Sequence, residues 1–174
     1  AFDMDALAEV YDTFSPAIFR HAYRLVGDAR LAEDCTTETF SRLLKALKEG
    51  NGPTQFLKAY RFRIAHNWVT DHYRRNEQTA SLDEMAEDNG FEPVAEDESP
   101  AQLAESSHDA AHVRRALAML TPDQRAVIVM KYFEEMTNEE VAASIGKPVG
   151  AVKSLQHRAL DALRRALAGA IEVS

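Results

Sequence analysis

The stretch Met136–Ala159 constrains this chain more than any other, because it reads as two helices broken by a tight glycine turn. Thr137 and Glu140 have capping-box spacing at the head of a short helix carrying Val141, Ala142 and Ile145. Gly146 supplies the turn, and Pro148 suits the first position of a second helix that runs past Leu163. A short helix, a glycine turn and a longer helix with a polar, basic outer face make a helix-turn-helix. That geometry places side chains in the DNA major groove.

The formal net charge of −8 argues against a nucleic-acid partner until its distribution is read. Residues 77–107 contain ten acidic side chains and no Lys or Arg, while the rest of the chain holds 20 basic and 18 acidic ones. The acidity belongs to one segment. Lys58–Asn76 carries Lys58, Arg61, Arg63, Arg74 and Arg75 against Asp71 alone, so basic patches flank an acidic tract, a pattern compatible with DNA contact. Cys35 is the only cysteine, which excludes an internal disulfide, fits a reducing cytoplasm and predicts a small, half-buried helix residue. No apolar run is long enough to cross a membrane. The first residues are acidic and lack the basic flank and apolar block of a secretory leader. The chain begins on Ala1 instead of Met, so a trimmed or engineered start is expected.

Helical periodicity accounts for most of the rest, and none of it shows the alternation of strands. Leu7, Val10, Phe14, Ile18, Ala22 and Leu25 mark a first amphipathic helix ending near Gly27. A second, with Leu31, Phe40, Leu43, Leu44 and Leu47 inward, stops before Gly50-Asn51-Gly52-Pro53. Thr54 suits the cap of a third helix reaching about Arg75. Residues 77–107 contain Pro93 and Pro100, lack sustained periodicity and read as a flexible acidic linker, with Ser81-Leu82-Asp83-Glu84 able to start one short helical turn. Order resumes near His108, where Val113, Ala116, Leu117 and Leu120 share a face. Thr121-Pro122-Asp123-Gln124 is a strong helix start, leading into Val127, Ile128, Met130 and Tyr132. The expected fold is all-α: two small helical domains, residues 1–76 and 108–174, with the helix-turn-helix in the second.

On a helical wheel the third helix has two faces. Leu57, Ile64 and Trp68 line the side expected to pack inward, whereas Phe62, Arg63, His66, Thr70, Tyr73 and Arg74 fall opposite. Rings and cations together on an outward face suit single-stranded nucleic acid, with bases stacking and cations tracking phosphates. The same pattern also fits Phe62 and Tyr73 packing against a neighbouring helix beside solvated arginines.

These residues together resemble the bacterial extracytoplasmic-function (ECF) sigma factors, over roughly residues 6–76 and 108–168. Ala32-Glu33-Asp34 through Glu38-Thr39-Phe40 resembles the family's polymerase-binding helix, and Leu57-Lys58-Ala59-Tyr60-Arg61-Phe62-Arg63-Ile64-Ala65-His66-Asn67 its promoter-melting helix. Leu120-Thr121-Pro122-Asp123-Gln124-Arg125, with Val149-Gly150-Ala151-Val152-Lys153-Ser154 and His157-Arg158-Ala159, is similar to its second DNA-binding domain. The resemblance implies docking on core RNA polymerase through Asp34, Thr37, Glu38 and Phe40. It implies contact with the −10 element through Asn51, Lys58, Phe62, Arg63, His66, Asn67, Tyr73 and Arg74, with Asn51 holding a flipped base, although a plain turn Asn fits that position equally. It places Lys153, Ser154, His157 and Arg158 on the −35 element, with Lys131 and Asn138 positioning phosphates. It also implies an anti-sigma partner, commonly membrane-linked, and a linker threading toward the polymerase channels, for which a simple tether is the alternative.

Three places depart from the family pattern. Arg61 stands at an inward position, Thr36-Thr37 replaces an apolar-glutamine pair, and Leu155-Gln156 inverts a basic-apolar order with Gln156 close to the core line beside Val152. No nucleophile-base pair, phosphate loop or complete metal set is legible, so neither an enzyme nor a cofactor is expected. A stand-alone helix-turn-helix regulator is the first rival, and it would normally dimerise on paired half-sites. A metal hydrolase built on His108, His112 and Cys35 is the second, and it lacks the glutamate next to His108 that a general base requires.

Overall fold

The computed structural model describes residues 3–53, 57–82 and 108–172. Among these the regular structure is helical throughout, in the order α1 (Met4–Val26), α2 (Ala29–Lys48), α3 (Leu57–Leu82), α4 (His108–Ala118), α5 (Pro122–Ile128), α6 (Asn138–Ile145) and α7 (Val149–Glu172). Thr54 and most of the acidic tract, residues 83–107, lie outside the described residues. The start of that tract differs from the expectation: α3 continues through Ser81 and Leu82. Nothing between Asn76 and Leu82 is a glycine or proline, so no residue there stops a helix already under way.

Side-chain caps set the joints of the first module. Asp3 opens α1 by accepting from the Asp5 N–H at 3.0 Å. Gly27 closes it at φ 69°, a left-handed conformation that costs glycine little. Asp28 then accepts from the Arg30 and Leu31 amides at 2.8 and 3.1 Å, so only Gly27 and Asp28 separate α2 from α1. Ala32, Cys35, Thr36, Thr39, Phe40 and Leu43 form the buried stripe of α2 at helical spacing. Cys35 is fully buried, deeper than expected, with its thiol against the Ala65 carbonyl at 3.8 Å. Burial pushes that thiol up to about 11, which leaves it unreactive at neutral pH.

In the second module, Thr121 and Gln124 complete a reciprocal capping box at the head of α5. The helix widens at its end into a π turn, Val129–Phe133, from which the chain leaves through Glu135 at φ 53°. Thr137 caps α6 through the Glu140 amide at 3.2 Å. Gly146, at φ 69°, turns the chain, and α7 follows with the Val152 amide bonded to the Pro148 carbonyl at 3.1 Å. The helix-turn-helix read from the sequence is therefore α6, Gly146 and α7.

The two modules pack on one another. Ala22, Leu25, Val26, Cys35, Ala65 and Val69 of the first share a buried cluster with Leu117, Leu120, Ala126, Ile128, Val129 and Ala159 of the second. A second cluster joins Ala59 and Phe62 of α3 to Val127, Met130, Met136, Val141, Val152 and Leu155. The helix α3 is thus apolar on two sides, one toward α1 and α2 and the other toward α5 and α6. Two leucines expected inside are instead exposed, Leu47 at 43% and Leu57 at 40%, each at the end of its helix.

Candidate nucleic-acid interface

The outer face of α7 is open. Lys153, Ser154, His157 and Arg158 are all exposed, one helical turn apart, while Val152, Leu155 and Ala159 on the opposite side are buried. Ser154 donates to the Gly150 carbonyl at 3.1 Å, and His157 lies 3.5 Å from Asp161. Gln156 is half-buried and donates to the Tyr132 hydroxyl at 3.1 Å, so the departure next to Val152 is absorbed by a hydrogen bond at the rim of the core. Lys131 is half-buried in the π turn. Asn138 is half-buried at the start of α6, and its side-chain oxygen has no hydrogen-bond partner among the described residues.

The corresponding face of α3 is covered, and here the outward assignment needs correction. Phe62 is 1% exposed and His66 7%, and Tyr73 is half-buried. Phe62 lies in the cluster of Val127, Met130 and Met136, with its ring 4.2 Å from that of His21. His66 faces Pro122, Arg125 and Ala126 of α5. Burial outweighs nearby Asp123 and lowers the His66 pKa to about 4, so the ring is neutral. Arg63, Asn67 and Arg74 remain exposed, as does Asn51, whose amide closes the end of α2 on the Ala46 carbonyl at 2.8 Å. Lys58 is exposed, but its ammonium donates to the Glu134 carbonyl of the second module. Trp68, placed with the core by its wheel position, is half-buried and stacks on His72 with ring centroids 5.4 Å apart. Arg61 is buried as its inward position implies, its guanidinium 4.5 Å above the Phe14 ring.

On α2, Asp34 and Thr37 are exposed, and Glu38 is half-buried and paired with Arg42 at 2.7 Å. Phe40 is not available to a partner: it is buried, edge-on to Tyr11 with centroids 4.8 Å apart. A ring of that size on the apolar stripe contributes most by leaving water.

Three residues of the second module that the sequence reading did not single out hold the modules together. The buried Arg125 guanidinium donates to the Leu117 and Leu120 carbonyls of its own module at 2.9 and 3.0 Å. It also donates to the Leu25 carbonyl and the Tyr73 hydroxyl of the other at 2.7 and 3.1 Å. Ser144 donates to the Ala59 carbonyl at 3.3 Å. Glu134 reaches across to Arg24 at 3.7 Å and to buried His21 at 3.5 Å. Burial pushes the Glu134 carboxyl up, but His21, Arg24 and Lys58 outweigh it and hold it below the usual range, while burial lowers His21. A cation at Arg125, directly before the apolar run Ala126–Met130, was the signal available in the sequence.

Fold and faces together define a two-module helical protein with one helix whose polar, basic face is exposed and another whose aromatic face is covered. Comparison with known proteins gives this class its family. The profile of Sigma-70 region 2 matches residues 10–79, and that of Sigma-70, region 4 matches residues 111–163. The chain is 32% identical over 169 residues to the ECF RNA polymerase sigma factor BldN of Streptomyces coelicolor, covering 96% of this chain and 62% of BldN. It therefore spans less than two thirds of that relative's length. It is 30% identical to the ECF RNA polymerase sigma factor SigW of Bacillus subtilis, over 95% of this chain and 90% of SigW. The fold matches the sigma factor RpoE of Bartonella quintana, solved in complex with the anti-sigma factor NepR, at a TM-score of 0.76 and 24% identity over 92% of this chain and 95% of that one. The chain belongs to the ECF sigma factor family.

Proposed function

We propose that this chain is a promoter-recognition subunit of bacterial RNA polymerase, acting in the cytoplasm. The observation that carries the reading is the pairing of an exposed, basic α7 face with matches to both sigma regions along one chain. Under this reading residues 108–174 engage the −35 element, with Lys153, Ser154, His157 and Arg158 facing the groove and Lys131 and Asn138 near the phosphates. Arg158 has the chemistry to read guanine or hold phosphate. The first module, residues 1–76 with α3 continuing to Leu82, engages the −10 element. Asn51, Lys58, Arg63, Asn67 and Arg74 are accessible for this, and Phe62, His66 and Tyr73 join them once the second module moves aside.

Asp34, Thr37 and Glu38 form the polymerase-facing side of α2, with Phe40 supporting that helix from within. The work is differential binding: capture of unpaired bases offsets part of the unstacking cost, so the melted strand is favoured over duplex. Polymerase performs the bond-making step. An anti-sigma partner belongs to the same reading, by analogy with the RpoE–NepR complex. Run-off transcription with purified core polymerase on a promoter library tests the proposal. Transcripts that start at a shared sequence and require the chain are expected. A chain that neither binds core polymerase nor directs a start site ends it.

A further inference from the structure

We propose that the second module is an internal competitor for the first, with Phe133 and Glu134 occupying on the first module the place of a base and its phosphate. What the covered face binds rests on the sigma reading above, whereas the joint itself does not. The argument starts from charge. Three basic side chains of the first module gather at Glu134, which arrives from the other module: Arg24 pairs with its carboxylate, His21, held neutral by burial, lies 3.5 Å from it, and Lys58 donates to its backbone carbonyl. The Arg24 guanidinium lies over the Phe133 ring at 4.4 Å. Arg61 stands near enough to sense the same carboxylate. An anion beside a ring, met by cations and aromatic side chains, is the arrangement by which single-stranded nucleic acid is held.

Apolar and polar contacts close the rest of the face. Phe62 fills a cluster with Val127, Met130, Met136 and Val141. Ser144 ties α6 to the α3 backbone at Ala59, and Arg125 ties α5 to the end of α1. A strand cannot reach Phe62 or His66 until these contacts part. The chain's affinity for single strands is then its intrinsic affinity multiplied by the fraction of molecules that are open.

The test uses the full chain and two variants that add no basic side chain, Glu134→Gln and Ser144→Phe. Diethyl pyrocarbonate modification of each histidine, read by mass spectrometry at pH 7, reports the cover. Exposed His157 on α7 is the internal reference. In the unaltered chain His66 is expected to react at least about tenfold more slowly than His157, the mark of a site reached only by opening. In the variants, with helix content checked by circular dichroism, His66 is expected to approach the His157 rate. Binding of a mixed-sequence 12-nucleotide single strand is expected to tighten about tenfold for a cover open in a tenth of molecules. Ser144→Phe leaves the net charge unchanged, so tighter binding there reports uncovering. Equal rates for His66 and His157 in the unaltered chain overturn the joint. Variants that fold but keep His66 protected overturn the assignment of Glu134 and Ser144 as its holding contacts. Uncovering without tighter strand binding overturns the competition. None of these readouts needs polymerase, so failure of the sigma reading shows separately, as absence of core binding by the unaltered chain.

Discussion

The two helices proposed to face DNA are in opposite states. On α7 the polar face is bare and only its apolar side is packed. On α3 both sides are packed: Ala65 and Val69 against the first module's own core, and Ala59 and Phe62 against the second module. The difference lies in composition. The outer face of α7 offers Lys, Ser, His and Arg, which remain hydrated, whereas that of α3 offers Phe62, Ala59 and a histidine that loses its charge on burial. A face able to stack bases is also able to pack against a protein, and the nearest protein is the rest of the chain. The modules can therefore be probed separately, and the sharpest probes treat the two faces differently.

The largest contrast is expected from truncating a ring on each face. Phe62→Ala removes a fully buried ring from the joint and should destabilise the chain by about 3 kcal/mol in urea unfolding. His157→Ala, on the open face, should stay within about 0.5 kcal/mol. A Phe62→Ala cost as small as that of His157→Ala would mean that the cover is not packed, and the contrast between the helices would vanish.

Acid is the next lever. His66 has a pKa of about 4 in the closed chain and returns to the ordinary value near 6.5 when uncovered, so the uncovered state binds the extra proton between those values. The closed arrangement keeps this stabilisation above pH 6.5 and loses it progressively as pH falls toward 4, by up to about 3 kcal/mol at roughly 1.4 kcal/mol per unit. Asp123 on α5 opposes the shift, while His21 on α1 and Lys147 after α6 reinforce it. Below the ordinary carboxylate range the depressed Glu134 pKa adds a loss of the same sign, since the native ion pairs need its charge. Small-angle scattering from pH 8 to 5 should show expansion as acid is added. His66→Gln should reduce that response, leaving the part that buried His21 contributes with the same sign, and an NMR titration placing His66 near 6.5 in the intact chain would remove its basis.

Arg158→Ala works on the other face. It should weaken binding to a −35 duplex by about 1–3 kcal/mol, with a base-specific component if the guanidinium reads guanine. Unfolding in urea should be unchanged, because the side chain is exposed and makes a 3.4 Å approach to the Ser154 carbonyl within its own helix. A loss of duplex binding that is equal for all sequences would make Arg158 a phosphate contact instead.

The sequence disclosed those elements whose causes are local. Gly27, the Thr121–Gln124 box and the Thr137–Gly146 pair sit where the chain turns or caps, since each acts within four residues of itself. The exposure of the polar α7 face was legible for the same reason: one apolar stripe leaves its complement outside. What the wheel of α3 lacked was a second partner. It separated Ile64 from Phe62 correctly, but the opposite of inward was read as open to solvent, when it was inward to another module. Buried cations were hidden in the same way, because Arg125 becomes tolerable in the core only through carbonyls at Leu25, Leu117 and Leu120 that lie far away or at helix ends. Phe40 shows the reverse limit, since a motif matched along a helix does not tell which of its residues face outward.

The smallest effect expected is also the most discriminating between the faces, because it acts on the hinge they share. Gly146 joins α6, which covers α3, to α7, which presents the open face. Its φ of 69° is one that a residue with Cβ adopts at a cost of about 1 kcal/mol, while a methyl group there would meet nothing within 4 Å. Gly146→Ala should thus lower the unfolding free energy by about 1 kcal/mol through backbone strain alone. If the angle between α6 and α7 is held by Val141, Val152 and Leu155, which share one buried cluster, the strain stays at the turn. His66 protection and −35 duplex binding should then both survive in the folded fraction. Loss of duplex binding with His66 still protected would show that the turn, and not the cluster, aims α7. Loss of protection with duplex binding intact would show that α6 is held against α3 more weakly than against α7, and would make the turn the place where the cover lifts.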